Sequence, residues 1–443
     1  AARADERVTL ARLLADHLGP LPEEAPVVEQ TWPAYEHVNV QIGLEAWLAA
    51  TGRQAQLVGV VGFQGTQFGL AELFEQVATP FAPRPGNVAR VNLPCGPGGA
   101  VYPCVQCAIY LVVHDDRRLA LLLRGPDEME GRVILQAVAA EPRLAEQATA
   151  EIRAAAVEHN VFRGQVLSFA GEVFGPHRAL LSFHDRPVLP ESDLILPEAT
   201  LQAVHRQVVG VAEHKDALLA AGQHLKRGLL LYGPPGVGKT HTVRHLTAAL
   251  TGTTVILLTG TALHLISEAC SVARTLQPAM LVVEDVDLIA EDRGAYPGEH
   301  PLLFQLLNEM DGLAEDADVV FVLTTNRPDL LEPALAARPG RVDQAVELML
   351  PDAQARRALI DLYRGGLDLD TSRLDGVVER TEGVTASFLK ELLRRAAVIA
   401  AATGEANGQQ PSARLRVSAD ALDTALEDLL ATHNAMTRVL LGG

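Results

Sequence analysis

Eight residues near the middle of the chain, Gly233-Pro234-Pro235-Gly236-Val237-Gly238-Lys239-Thr240, fit the pattern G-x-x-x-x-G-K-[ST]. Glycines at such spacing let backbone N–H groups curl around an anion, and the lysine adds a compact positive charge. The threonine hydroxyl is a hard ligand for a divalent cation. The chemistry served is the holding of a nucleotide's phosphates: Lys239 would reach the β- and γ-phosphates of ATP, and Thr240 would ligate Mg2+. The chain has only four lysines, Lys215, Lys226, Lys239 and Lys390, and one of them stands in this loop. A planar arginine is not equivalent there.

A second group of chemically capable residues lies 45 positions on. The apolar run Met280 to Val283 ends in Glu284-Asp285-Val286-Asp287. A strand that delivers carboxylates beside a phosphate loop supplies what cation coordination and water activation need. Acids at a strand end can also simply cap a following helix.

A third group is weaker. Cys104-Val105-Gln106-Cys107, with Cys95 and His114 near in sequence, has the spacing of a metal knuckle. Cys107 also opens the apolar run Ala108 to Val113, where buried thiols behave as small hydrophobes. The strand context favours that second reading.

These groups need elements to hold them. Leu229 to Tyr232 reads as a strand leading into the loop, and His241 to Leu250 continues as a helix whose N-terminus adds partial positive charge. His241 is therefore counted with the eight loop residues as nucleotide-binding. Strands are expected at Leu229–Leu231, Val255–Thr259, Met280–Val283, Val319–Thr324 and Ala345–Leu348, alternating with helices as in a parallel α/β sheet. Helices then follow at Ala353–Tyr363, Ser372–Glu379, Ala386–Ala402 and Ser418–Leu430.

The first 190 residues mix helices (Val8–Leu18, Tyr35–Ala50, Leu70–Gln76, Leu144–Glu158) with strands at Ile109–Val113, Leu119–Leu123, Val133–Val138 and Gln165–Phe169. Asp115-Asp116-Arg117-Arg118 is expected to turn a hairpin. The fold class is thus an α/β P-loop sheet with a C-terminal helical lid, preceded by an α+β domain. Boundaries are set at 1–190, 191–350 and 351–443.

Composition narrows the function. With 48% hydrophobic and 21% charged residues, the chain is that of a globular protein with a sizeable core. No apolar run reaches the ~18 residues of a membrane span. A net charge of −18 disfavours nucleic acid as a partner. Four cysteines are too few for a disulfide scaffold and point to the cytoplasm.

From about residue 198 to 402 the chain resembles the ATPase module of the AAA family. Beyond the phosphate loop, the resemblance rests on Leu306-Leu307-Asn308-Glu309-Met310-Asp311-Gly312-Leu313 and Thr324-Thr325-Asn326-Arg327-Pro328-Asp329. It also rests on Pro333-Ala334-Leu335 through Arg338-Pro339-Gly340-Arg341-Val342-Asp343. The resemblance implies that Asn326 senses the γ-phosphate and helps place the attacking water. It implies that Arg338 and Arg341 act on the ATP of a neighbouring subunit, hence a homo-oligomeric ring, by family habit a hexamer. Asp311-Gly312 resembles the segment that relays nucleotide state between subunits. Val209-Gly210 and Tyr363 match positions around the adenine, although Tyr363 reads equally well as lid core.

Three departures matter. The family's Asp-Glu pair is reversed as Glu284-Asp285; the resemblance implies that Glu284 ligates Mg2+ with Thr240 and that Asp285 is the base, one methylene short of the usual one, so slow hydrolysis is expected. The segment Gly260 to Cys270 is short and lacks the aromatic that grips a threaded polypeptide; Tyr296, in a second candidate segment, is as readily a loop tip. The lid helix opens on Thr385-Ala386-Ser387-Phe388 in place of Ser-Gly-Ala-Asp, with Lys390 one turn on. The first two departures are similar to the family's branch of mitochondrial respiratory-complex assembly chaperones. An ATP-dependent protein remodeller acting on a protein client is the leading expectation. A nucleotide-regulated assembly switch or scaffold with slow turnover is the alternative, and a nucleic-acid translocase is disfavoured by charge.

Overall fold

The computed structural model describes residues 9–20, 25–62, 68–74, 83–126, 131–171, 179–288, 301–331, 342–403 and 414–431. The chain divides into two compact units, 1–185 and 186–443. Among the described residues no helix is long and apolar enough to cross a membrane.

The first unit is built on an antiparallel sheet. Its elements are α1 (Leu10–Leu18), β1 (Val28–Pro33), α2 (His37–Ala49), β2 (Arg53–Val61), α3 (Leu70–Phe74) and β3 (Arg84–Gly86). There follow β4 (Arg90–Pro94), β5 (Val101–Val105), β6 (Cys107–His114), β7 (Arg117–Arg124), β8 (Arg132–Ala139) and α4 (Pro142–Glu158). The main sheet runs β1-β8-β7-β6-β2-β3, and β4 pairs with β5. β9 (Val166–Gly171) and β10 (Ala179–His184) form a further antiparallel pair.

Both faces of this sheet are covered. Leu119, Leu121 and Leu123 of β7 pack with Val40, Leu44 and Trp47 of α2 and Ile152 of α4. Ala120 and Leu122 pack on the other side with Leu10 and Leu14 of α1 and Leu70 of α3. Double coverage explains why β6 and β7 are continuously apolar although antiparallel, where one-sided burial would give alternation. The turn between them is tighter than the four residues expected. Asp115 (φ 48°) and Asp116 (φ 62°) occupy it alone, both left-handed as in a two-residue hairpin, and Arg117 already belongs to β7.

The cysteine group resolves toward packing. Cys104 and Cys107 are buried, and burial pushes both thiols up to about 12, so they stay protonated. Cys107 belongs to the core against α1 and α3. His114 closes β6 seven residues further along, roughly 23 Å away by strand rise, where its ring meets Trp47 edge-on and pairs with Asp115.

His37, 1% exposed, donates from Nε2 to the Val105 carbonyl at 2.9 Å, so Nε2 carries the proton. Burial depresses its pKa from 6.5 to about 4. A histidine with a lowered folded pKa binds fewer protons folded than unfolded, so stability is full above pH 6.5 and falls as pH drops toward 4. The loss should reach about 3 kcal/mol. Glu36, raised by burial, acts in the opposite sense above its ordinary value of 4.5, so a comparison of parent with His37→Gln isolates the histidine. Both tryptophans, Trp32 and Trp47, lie in this unit's core and report its unfolding. The urea midpoint of the parent should fall more steeply between pH 7 and 4.5 than that of the variant; equal slopes would contradict the assignment.

The second unit is a parallel sheet with helices, then a helical subdomain. Helices α5 (Glu198–His205), α6 (Val211–Glu213) and α7 (Lys215–Ala220) lead in, with a π turn at Arg206–Gly210 between α5 and α6. Then come β11 (Arg227–Tyr232), α8 (Lys239–Ala249), β12 (Thr254–Leu258), α9 (Ile266–Thr275), β13 (Ala279–Val283), α10 (Pro301–Asp311), β14 (Val319–Thr325) and β15 (Gln344–Glu347). These strands lie in the order β12-β13-β14-β11-β15, each pair parallel. β13 and β14 are buried at every position, as expected of strands covered on both faces.

The last part holds α11 (Ala353–Tyr363), α12 (Leu374–Arg380), α13 (Ala386–Ala402) and α14 (Ala419–Leu430). Leu359, Val377, Phe388, Leu392, Leu422 and Leu426 supply its core. Asp352, Thr385 and Ser418 cap α11, α13 and α14 by accepting from backbone N–H groups in the first turn. Tyr363 packs partly buried against this core, and Lys390 lies over its ring at 5.9 Å.

Candidate nucleotide site

Parallel α/β sheets gather ligands outside the carboxyl ends of their strands, where neighbouring connections diverge. Here β11 lies between β14 and β15, and its carboxyl end runs straight into the loop 233–240. The loop is shaped by backbone constraints that its sequence meets. Gly233 has φ 147°, and a Cβ there would stand 2.3 Å from the Leu348 carbonyl oxygen. Gly236 has φ 81°, and its Cβ would press on the hydroxyls of Thr385 and Ser387 at 3.0 Å.

Lys239 opens α8 and is 7% exposed. Its Nζ donates to the carbonyl oxygens of Gly233 at 2.7 Å and Pro234 at 2.8 Å, two of the ammonium's three hydrogens. Burial lowers its pKa, and the carboxylates of Asp285 and Asp287 act against that. Val237 is buried, while Pro234, Pro235 and Thr240 are exposed, Thr240 in the first turn of α8, whose leading N–H groups have no intrahelical partner. His241 is turned elsewhere: its Nε2 lies 3.1 Å from the Asp193 carbonyl oxygen.

The ends of β13 and β14 meet beside this loop. Glu284 donates its N–H to the Leu258 carbonyl, and its side-chain Oε1 is buried with no hydrogen-bond partner. An unpartnered buried carboxylate oxygen is costly unless something hard and positive, or water, completes it. Together with the hydroxyl of Thr240, it is the donor chemistry that suits a small oxygen-seeking cation. Asp285 is exposed and adopts φ 51°. Left-handed backbone is disfavoured for most side chains and tolerated best by Asp and Asn. The conformation is held by the Thr324 hydroxyl, which accepts from the Asp285 N–H at 3.1 Å. Asn326 donates from Nδ2 to Asp285 Oδ1 at 3.4 Å.

Two contacts were not assigned from sequence. Asp287 Oδ1 accepts from the Thr325 hydroxyl at 2.8 Å and from the Asn326 N–H at 3.2 Å. The acid was visible in the run Glu284 to Asp287, but nothing in the run tells which strand it would grip. Ser387, at the start of α13, donates its N–H to the Gly236 carbonyl at 3.3 Å, so the helical part touches loop 233–240 directly.

Segment 186–205 runs along α8. Arg186 donates to the carbonyls of Thr247 and Leu250 at the C-terminal end of α8 and to that of Thr253 just before β12. His205 and His245 meet Nε2 to Nε2 at 2.7 Å, and the rings stack. Across this contact one ring donates and the other accepts, and burial, then the His205 charge, lowers the His245 pKa. Val209 and Gly210 lie in the π turn. Arg338, Arg341 and Tyr296 lie outside the described residues.

Comparison with known proteins agrees with this geometry. Residues 229–350 match the family model described as ATPase family associated with various cellular activities (AAA). The chain is similar to the ATP-dependent zinc metalloprotease FtsH 2 of Symbiobacterium thermophilum, 32% identical over 240 residues, 51% of this chain and 39% of that protein. It is also similar to the ATP-dependent zinc metalloproteases FtsH of Mycobacterium tuberculosis, 30% over 242 residues covering 52% and 32%, and of Mycobacterium leprae, 28% over 281 residues covering 60% and 34%. The chain thus spans less than two fifths of the length of each of these relatives. With the loop at the end of β11, the carboxylates after β13 and the family match over the same residues, the chain carries an AAA-family ATPase module.

Proposed function

We propose that this chain is an ATP-dependent protein remodeller that works as a homo-oligomeric ring with slow turnover. The observation that carries the proposal is the convergence of Lys239, Glu284, Asp285 and Asn326 at one edge of the sheet, with Asn326 bonded to Asp285. In this reading loop 233–240 and the start of α8 bind the phosphates, and Thr240 and Glu284 hold Mg2+, which neutralises charge on the phosphates. Asp285 accepts a proton from the attacking water, and Asn326 keeps Asp285 and that water in place. Arg338 and Arg341 reach the site from a neighbouring copy. Residues 1–190 engage a protein client, 191–350 bind and hydrolyse ATP, and 351–443 form the lid, a reading supported by the Ser387 N–H bond to the Gly236 carbonyl. The short carboxylate of Asp285, and a 3-10 turn at Gly260–Leu265 without an aromatic side chain, favour a ring that switches a client over one that threads it. The relatives are named as proteases; the 443 residues contain no H-E-x-x-H run, and peptidase activity is no part of the proposal.

Subunit mixing tests the shared site. Asp285→Asn and the double variant Arg338→Ala/Arg341→Ala damage opposite sides of one interface, so each alone should be nearly inactive. Co-expressed in equal amounts, they leave about a quarter of the interfaces intact in a randomly assembled ring, and ATPase activity should return to that order. A mixture as inactive as its parents, with assembly intact, would rule out completion in trans.

A further inference from the structure

Asp287 follows the two carboxylates expected to do the chemistry, yet the structure gives it a different task. It is 9% exposed, its Oδ1 takes two hydrogen bonds, and both come from the end of β14. One donor is the hydroxyl of Thr325, itself fully buried, and the other is the backbone N–H of Asn326. A second set of bonds runs the other way. The Thr324 hydroxyl accepts from the Asp285 N–H, and the Thr324 carbonyl accepts from the Val286 N–H at 2.9 Å. Thr324-Thr325-Asn326 and Asp285-Val286-Asp287 are therefore laced together residue by residue, and the lacing ends at the Asn326 Nδ2 to Asp285 Oδ1 contact.

The lacing has a job because Asp285 is in left-handed backbone. A residue held there costs ~1–3 kcal/mol and keeps its place only when its surroundings over-determine it. Catalytic contacts are lost when supporting groups let a side chain drift by as little as ~1 Å. Asp287 fixes where the Asn326 main chain leaves β14, and so fixes where the Asn326 amide meets Asp285.

We infer that Asp287 is a positioning residue for ATP hydrolysis, acting through Asn326 by offering one acceptor oxygen to Thr325 and to the Asn326 N–H. The inference rests on the proposed reading of this site as hydrolytic. It predicts that the oxygen matters more than the charge. Asn at 287 keeps a carbonyl oxygen where Oδ1 stands, whereas Ala removes it. Thr325→Val removes that donor, together with the acceptor the same hydroxyl offers to the Arg327 N–H at 2.9 Å, and leaves the Asn326 N–H bond in place.

The experiment measures kcat, KM and the affinity for a fluorescent ATP analogue, with thermal midpoints, for the full chain and for Asp287→Ala, Asp287→Asn and Thr325→Val. Asp287→Ala should lower kcat by roughly 10–100-fold while analogue affinity stays within about threefold, the split expected of an interaction felt in the transition state. Asp287→Asn should recover kcat to within about threefold of the parent, and Thr325→Val should lie between the two. A parent without ATPase activity would defeat the hydrolytic reading itself. An active parent with kcat unchanged in Asp287→Ala, or with Asp287→Asn as impaired as Asp287→Ala, would overturn the inference alone. Should Asp287→Ala not fold, Asp287→Asn and Thr325→Val still decide: an inactive Asn variant or a fully active Val variant overturns it.

Discussion

Lys239→Met is expected to weaken nucleotide binding by roughly 30- to 5,000-fold and to reduce ATP hydrolysis to background. The range corresponds to the ~2–5 kcal/mol typically lost when one partner of a buried, hydrogen-bonded charged contact is truncated. Methionine keeps the unbranched stem but removes the charge and all three N–H donors. The ammonium stands almost buried and is tied to the carbonyls of Gly233 and Pro234, so its position is set by the loop it serves. Burial works against the charged form, and the carboxylates of Asp285 and Asp287 work for it. A cation kept charged in a largely dehydrated loop acts on phosphate more strongly than one at the surface, because little water competes for it. Arginine should not rescue, since its planar head cannot donate from one compact point to both carbonyls and a phosphate. Fluorescent-nucleotide titration gives the affinity and a phosphate-release assay the turnover. Binding within twofold of the parent would remove Lys239 from the site.

How much of this was legible in the sequence follows from how completely each segment is buried. Met280–Val283 and Val319–Thr324 were read to within a residue because strands buried on both faces are unbroken apolar runs. The same reason made Ile109–Val113 and Leu119–Leu123 visible, although there the covering helices differ and the strands are antiparallel. Strand β2 went unread because Arg53 to Gln56 is polar and mostly exposed, and only its second half reaches the core. The β4–β5 pair went unread because Pro94 and Pro103, which argue against strands, sit at positions the small two-stranded pair tolerates. In the site, loop 233–240 stood out because a turn with Gly233 and Gly236 at positive φ demands particular residues at fixed spacing. Asp287 was not, because its partners lie 38 and 39 positions away on another strand, and hydrogen bonds across a sheet leave no local spacing to read. His241 was counted with the loop by adjacency alone, and no local spacing shows that its Nε2 lies against the carbonyl of Asp193.

Asp285→Asn should lower kcat by about 10²–10⁴-fold, the usual contribution of a positioned general base, and leave nucleotide affinity within about threefold. The substitution is unusually clean at this position. Asparagine tolerates the left-handed φ of 51° as well as aspartate does, so the backbone has no reason to move. The Asp285 N–H still donates to the Thr324 hydroxyl, and a carbonyl oxygen still accepts from Asn326 Nδ2. What disappears is the negative charge and the capacity to take a proton from water. Asp285→Ala would confuse that loss with a broken contact to Asn326. Asp285→Glu would put a longer side chain on strained backbone. Because the parent carboxylate is already one methylene shorter than the family's usual base, its own kcat should sit low, and the measurement needs single-turnover conditions to resolve a further drop. Nucleotide held without turnover in the Asn variant would separate binding by Lys239 from chemistry at Asp285. Unchanged single-turnover rates would instead move the base to Glu284, whose buried, unpartnered Oε1 is the other carboxylate oxygen at this edge of the sheet.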